Sequence, residues 1–296
     1  MEPTVASIPT RSERQALDWS LVLASQGIEA SIDRDPEAEI WHIFVRGADY
    51  ARALRTLRQY VKENKGWGWA KELPFTGMLF DWRSAFPMAL LLLTYALQEL
   101  AGGRLRLAGI MDSAAVHAGQ WWRLLTAITL HTDLTHLAGN VVLGFLLLGL
   151  TMGAYGAGVG LLGSLLAGVL GNVAGYLAYG TPHQGLGASG MVLGALGLLS
   201  MHSVSWVRAG HAPGSLAIRA VASGSMLLLL FGVSPKENVD LVAHLVGFGS
   251  GLALGTALAW VPAPVLSSRT TDRLCLGAAL ASTVLTWTLA LLTTRL

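Results

Sequence analysis

The spacing of apolar positions changes near residue 85. Before it, "SERQALDWSLVLASQ" places Ala16, Leu17, Leu21 and Ala24 near one helical face, and Gly27 is a suitable stop. "IEASI" and "IWHIFV" gather β-forming residues on either side of the turn-rich "DRDPEAE", and "ADYARALRTLRQYVKEN" then returns to helical spacing. Helix, hairpin and helix predict a small soluble α+β domain, assigned to residues 1–66. Residues 67–84 follow as a linker. Its tryptophans lie beside Lys and Arg at the edge of an apolar run, the composition of an interfacial anchor. Beyond it the pattern becomes one of long apolar runs. A bilayer core of roughly 30 Å needs about 20 such residues per helix. Seven segments are candidates: 85–101, 134–152, 155–179, 188–204, 216–233, 241–261 and 274–293.

Between the first two, "GRLRLAGIMDSAAVHAGQWWRLLTAITLHTD" is amphipathic and too polar to span, so it is expected in the interface as a partly inserted loop. Composition agrees with a membrane protein: 53% of the 296 residues are hydrophobic and 13% charged, with mean hydropathy +0.52. Of 20 Lys and Arg, 11 precede residue 85, as do 12 of 18 acids. That charge leaves no apolar core long enough for a cleavable signal peptide. The positive-inside rule then puts the N-terminal domain, Arg208, Arg219, Arg269 and Arg273 in the cytoplasm. Residues 182–184 and 234–240, with Lys236 alone, fall outside, and seven spans leave Arg295 outside as well. Arg104, Arg106 and Arg123 break the rule, but a long connection is weak evidence for orientation. A net charge of +2 makes no case for nucleic acid. The single cysteine, Cys275, forms no internal disulfide. The eight histidines are scattered and neither H-E-x-x-H nor a Walker motif occurs, so no metal or cofactor is expected.

In this topology the second, fourth and sixth spans run inward from one face, so polar residues near their starts share a depth. "HTDLTHLAGN" puts His136 and Asn140 four apart on one face; Ser189 opens the fourth span; "DLVAHLVGFGSG" puts His244 about one turn into the sixth. Polar groups inside a bilayer are costly and usually face the protein interior or a wet cavity. A histidine can serve as base and then acid, and a serine needs such a base to become a nucleophile. Taken alone, Ser189 and His244 are better explained by helix packing, and His136 and Asn140 equally by helix-to-loop contacts; the shared depth weakens those explanations. Asp240, four residues before His244, is more naturally a helix cap than an orienting acid. "GLGASG" fits G-x-G-x-x-G, but no strand precedes it and no acid follows at a suitable distance. G-x-S-x-G fails because residue 191 is Met.

"GASG" at 187–190, "HTDLTHLAGN" at 131–140, "QWWRLLTAITLH" at 120–131 and "DLVAHLVGFGSG" at 240–251 resemble, in order, the rhomboid family of intramembrane serine proteases. The resemblance covers about residues 85–261. It implies an α-helical polytopic membrane fold: a six-helix rhomboid core over 85–265, an added seventh helix over 266–296, and the α+β domain before them. It implies Ser189 as nucleophile and His244 as general base, with His136, Asn140 and the backbone N–H groups of Ala188 and Ser189 as the oxyanion hole. Gly187, Gly190, Trp122 and Arg123 would be structural. His131, about 140° from His136 if both were helical, would fix the loop. Gly247, Gly251 and Gly255 form a small face that would let the sixth span approach the fourth. Substrates would be transmembrane segments of other proteins, cut within the lipid bilayer. The N-terminal domain resembles, more weakly, those of some bacterial rhomboids, which would place the chain in a bacterial cytoplasmic (inner) membrane. Partner binding, membrane placement and self-association all remain open for it. A catalytically silent relative would not need Ser189 and His244, and a transporter would favour inverted repeats, which are not seen.

Overall fold

The computed structural model describes residues 5–35, 40–64, 80–210, 212–232 and 240–294, in two compact units, Met1–Glu72 and Leu73–Leu296. The first unit runs β1 (Val5–Thr10), α1 (Glu13–Ser25), β2 (Ala30–Arg34), β3 (Trp41–Arg46) and α2 (Tyr50–Glu63). Its sheet is antiparallel in the order β1-β3-β2. The expected hairpin is β2–β3, while β1 is a strand that the spacing does not reveal. "VASIPT" is short and carries Pro9, which an edge strand tolerates because an unpaired side needs no N–H. Ser12 caps α1 by accepting from the Gln15 N–H at 3.2 Å, and Gln15 Oε1 reaches back to the Arg11 N–H at 2.7 Å. Ile8, Ile43 and Val45 from the sheet meet Ala16, Leu23, Ala53 and Leu57 from the helices in one core.

The second unit begins with a 3-10 turn (Trp82–Ser84) and α3 (Ala85–Leu100). A folded connection follows: α4 (Arg104–Gly109), β4 (Met111–Asp112), α5 (Ser113–His117), α6 (Arg123–Thr126) and a 3-10 turn (Ala127–Thr129). The long helices are α7 (Leu134–Tyr155), α8 (Ala157–Tyr179), α9 (Ser189–Arg208), α10 (Gly214–Gly232) and α11 (Leu241–Leu258), with β5 (Gln184–Gly185) before α9. The short α12 (Ala263–Leu266) leads to α13 (Arg269–Thr294). Six helices, α7 to α11 and α13, have 18 to 26 residues and are apolar enough to cross a membrane. The first expected span is shorter: α3 has 16 residues, about 24 Å of helix, and ends at Gly102 and Gly103. Trp82 packs its ring on Phe80 and Phe145 at centroid distances of 5.0 and 5.8 Å. Trp67 and Trp69 of the expected anchor, Lys236 and Arg295 lie outside the described residues.

The connection before α7 is a packed subdomain as well as an amphipathic loop. Ala108, Met111, Ala127, Ile128 and Leu130 are all buried, and β4 pairs with β5 just ahead of α9. Arg123, which broke the charge rule, is itself buried: its Nη1 donates to the carbonyls of Leu107 and Ile110, each at 2.9 Å, and its Nε to Gln120 at 2.7 Å. A guanidinium committed to backbone carbonyls carries no topological signal.

Helix α9 is central, touching α7, α8, α10 and α11. Its approach to α11 is set by glycine. A Cβ on Gly247 would lie 2.5 Å from the Gly190 carbonyl oxygen, and one on Gly251 would strike the Gly194 carbonyl. Helix α8 approaches α11 as closely: a Cβ on Gly171 would lie 2.6 Å from the Ala243 carbonyl oxygen. Backbones in such contact bring short side chains on neighbouring helices within hydrogen-bonding reach.

Candidate active site

Ser189 is the first residue of α9, and His244 sits one turn into α11 at 8% exposure. His244 Nε2 lies 2.6 Å from Ser189 Oγ. Its other ring nitrogen, Nδ1, lies 2.6 Å from the carbonyl oxygen of Gly232, at the end of α10. A carbonyl can only accept, so Nδ1 must carry the proton. In the neutral ring, Nε2 then has a lone pair to accept the serine hydroxyl. Gly232 is a residue that sequence reasoning missed, because a backbone carbonyl leaves no mark in a sequence. Among the described residues no carboxylate bonds His244. Asp240 acts as the N-cap of α11, Oδ1 accepting from the Ala243 N–H at 2.9 Å, while Oδ2 lies 3.4 Å from His183 Nε2.

The segment before Ser189 is held from several sides. The Gly187 N–H donates to the Ala127 carbonyl at 2.9 Å, and Ser113 and His183 exchange two bonds of 2.9 Å. Gln184 donates to Asp112 at 2.8 Å, which holds that carboxyl below its ordinary pKa. Gly187 has φ +125°, and a Cβ there would lie 2.7 Å from His136 Cε1 and 2.8 Å from Nε2. Glycine is therefore required twice, by conformation and by the imidazole against it. Ala188 is fully buried, and no side chain caps α9, so its first N–H groups retain free donor capacity.

His136 thus meets the loop that presents Ser189. The Asn140 amide, one turn further along α7, donates to the His136 carbonyl at 3.1 Å and is 6% exposed. Helix α7 starts at Leu134, capped by Asp133, so a helical angle between residues 131 and 136 has no meaning. The His131 ring is fully buried and packs edge-on against His136, with centroids 5.1 Å apart. Gln98 holds its carbonyl at 2.9 Å, and burial pushes the imidazole pKa down to about 4. Trp122 packs on Trp121 at a centroid distance of 6.3 Å, beside the Arg123 staple.

These features define an integral, multi-pass helical membrane protein with a serine at a helix N-terminus in hydrogen-bond contact with an imidazole on a neighbouring helix. Residues 118–261 match the family model described as the rhomboid domain, and the membrane-spanning unit belongs to the rhomboid family. The chain is 28% identical over 179 residues to rhomboid protease GluP of Bacillus subtilis (strain 168), covering 58% of this chain and 34% of that protein. It is 29% identical over 137 residues to the putative rhomboid protease YdcA of the same organism, covering 46% and 66%. It is 32% identical over 167 residues to RHOMBOID-like protein 1 of Arabidopsis thaliana, covering 50% and 37%. The chain therefore spans about a third of the length of two of these relatives and 66% of the third.

Proposed function

We propose that the protein is an intramembrane serine endopeptidase that cuts transmembrane segments of other membrane proteins, using Ser189 as nucleophile and His244 as general base and acid. The observation that carries this reading is the tautomer. With Nδ1–H committed to the Gly232 carbonyl, Nε2 faces the Ser189 hydroxyl at 2.6 Å with its lone pair free. Ser189 Oγ attacks the scissile carbonyl while its proton passes to Nε2. The resulting oxyanion accepts from the N–H groups of Ala188 and Ser189 at the α9 terminus, with His136 and the Asn140 amide as further donors. The Asn140 amide nitrogen carries two hydrogens, so one can stay on the His136 carbonyl while the other donates to the oxyanion. Collapse of the intermediate transfers the proton from Nε2 to the departing amine and leaves an ester on Ser189. Water, deprotonated by the same imidazole, hydrolyses it.

The charge distribution supports an N-terminus in the cytoplasm of a bacterial cell, with the dyad toward the opposite leaflet. The domain boundaries read from the sequence and a role of the N-terminal domain in self-association belong to the same proposal.

The test is cleavage of a tagged single-span substrate by the purified protein in detergent or liposomes, with the cut located by mass spectrometry. Ser189→Ala and His244→Ala should each abolish cleavage while leaving the melting temperature within a few degrees; Asn140→Ala should only slow it. Retained cleavage by Ser189→Ala would overturn the assignment of the nucleophile.

A further inference from the structure

We propose that α13, the helix added to the six-helix core, braces the active-site loop, and that Trp287 is its positioning residue; the inference rests on the peptidase reading above. Helix α13 is fixed near both ends. At its start, Asp272 Oδ1 accepts from the Gly158 N–H at 2.6 Å, in the first turn of α8. The two backbones meet there, since a Cβ on Gly158 would strike the Asp272 carbonyl. Near its other end, Trp287 Nε1 donates to Thr129 Oγ1 at 3.1 Å. The indole also lies against Gly109, where a Cβ would come 2.7 Å from Cη2.

Those two contacts close the connection between α3 and α7 around one ring. Thr129 Oγ1 donates to the Thr126 carbonyl at 2.9 Å, and Thr126 Oγ1 donates to the Gly109 carbonyl at 2.7 Å. The indole therefore grips both ends of a hydrogen-bonded clasp. Two residues before Thr129, the Ala127 carbonyl accepts the Gly187 N–H at 2.9 Å. Gly187 immediately precedes Ala188 and Ser189, the proposed source of the oxyanion donors and the nucleophile. A continuous path of packed and hydrogen-bonded groups thus runs from α13 through the 127–129 turn to the catalytic loop. Thr129 is 5% exposed, so a donor lost from this place is not readily replaced by water. An indole that merely filled space would be indifferent to the hydroxyl at residue 129; one whose N–H sets the position of the turn would not.

Trp287→Ala would leave a cavity against Gly109 and endanger the fold, so Trp287→Phe and Thr129→Val carry the test, with Thr129→Ser as the conservative variant. The full chain is compared with Ser189→Ala, reading kcat and KM on the single-span substrate and amide exchange in peptides covering residues 183–190. Trp287→Phe and Thr129→Val should each lower kcat by roughly three- to tenfold, the range expected of one hydrogen bond, with KM changed less than about twofold. The double variant should be no worse than the poorer single one, and Thr129→Ser should restore the rate. Exchange at 183–190 should quicken in Trp287→Phe and stay unchanged in the second half of α9. Wild-type kcat together with wild-type exchange in Trp287→Phe would overturn the brace, as would additive losses in the double variant. Failure of the peptidase reading has a different signature: no Ser189-dependent cutting by the unmutated chain, while the exchange comparison still decides the brace.

Discussion

Gly247→Ala adds one methyl group at the point where α11 lies on α9. The new Cβ would sit 2.5 Å from the Gly190 carbonyl oxygen, 3.0 Å from its Cα and 3.1 Å from its carbonyl carbon, all backbone atoms that cannot rotate away. Ordinary contact needs roughly 3.5 Å, so the helices must part by about 1 Å. Gly190 adjoins Ser189, and His244 lies one turn before Gly247, so most of that displacement falls on the 2.6 Å contact between Ser189 and His244. At roughly 3.5 Å a hydroxyl and an imidazole no longer share a useful hydrogen bond, and misplacement on this scale costs about 100-fold in rate. Overpacking also costs about 1–3 kcal/mol of stability. Gly249→Ala is the control: it lies on the same helix with nothing within 4 Å of the added atom. Initial cleavage rates and thermal melts of the two variants, taken at a temperature where both are folded, separate the effects. Wild-type cutting by Gly247→Ala, or an equal loss in Gly249→Ala, would refute this coupling of helix approach to rate.

Substitutions at Gly187, Gly190, Asp240 and His131 address the surroundings of the dyad. Gly187→Ala should lower kcat at least tenfold, because it combines a strained φ with a clash against His136, whereas Gly190→Ala, whose nearest new neighbour is 3.4 Å away, should do less; steady-state kinetics on both variants checks the order. Asp240→Ala should lose about 1 kcal/mol of stability by uncapping α11, while Asp240→Asn keeps the cap and retains activity within about twofold. A large loss of activity in Asp240→Asn would show that the carboxylate orients His244 after all. The low pKa of His131 sets an acid limit. Its folded value is about 4 against 6.5 ordinarily, so its buried neutral form contributes fully above about pH 6.5. That contribution, about 3 kcal/mol, is lost as pH falls toward 4. Melting curves across this range should show the decline in the wild type and a flatter one in His131→Gln.

Features that are costly in their setting were legible in the sequence. A serine, two histidines and an asparagine near the starts of apolar runs stand out because polar groups there require a reason. The glycines of α11 were legible by their repeat of four, although their partner glycine at position 194 was not, since a single glycine in an apolar helix has many explanations. The strand β1 was hidden by its length and by Pro9. The folded connection before α7 was recognised as amphipathic. Its internal packing was not, because Arg123 and Thr126 bond to backbone carbonyls, and carbonyls are the same in every residue.

The same limit applies to the partner of His244 Nδ1: among the described residues it is a backbone carbonyl and not a carboxylate. Asp240 is the acid nearest His244 in sequence, and its position four residues earlier invites comparison with an orienting carboxylate. Its oxygens are engaged with the Ala243 N–H and beside His183, one turn away from the imidazole. Nδ1 turns instead to Gly232, where α10 ends. A carboxylate would stabilise the imidazolium strongly, but in a low-dielectric site it would first have to be desolvated. A helix-terminal carbonyl is an orphan acceptor at the negative end of the helix dipole. It fixes the tautomer without burying a net charge. Orientation of the base is thereby tied to the position of α10, a helix with only three buried residues, Gly224, Leu228 and Gly232. Two of those three are glycines on one face of α10: a Cβ on Gly224 would strike the Ser200 side chain and one on Gly232 would lie 3.2 Å from Leu193 Cδ1, so the contact that orients the imidazole depends on how closely α10 approaches α9.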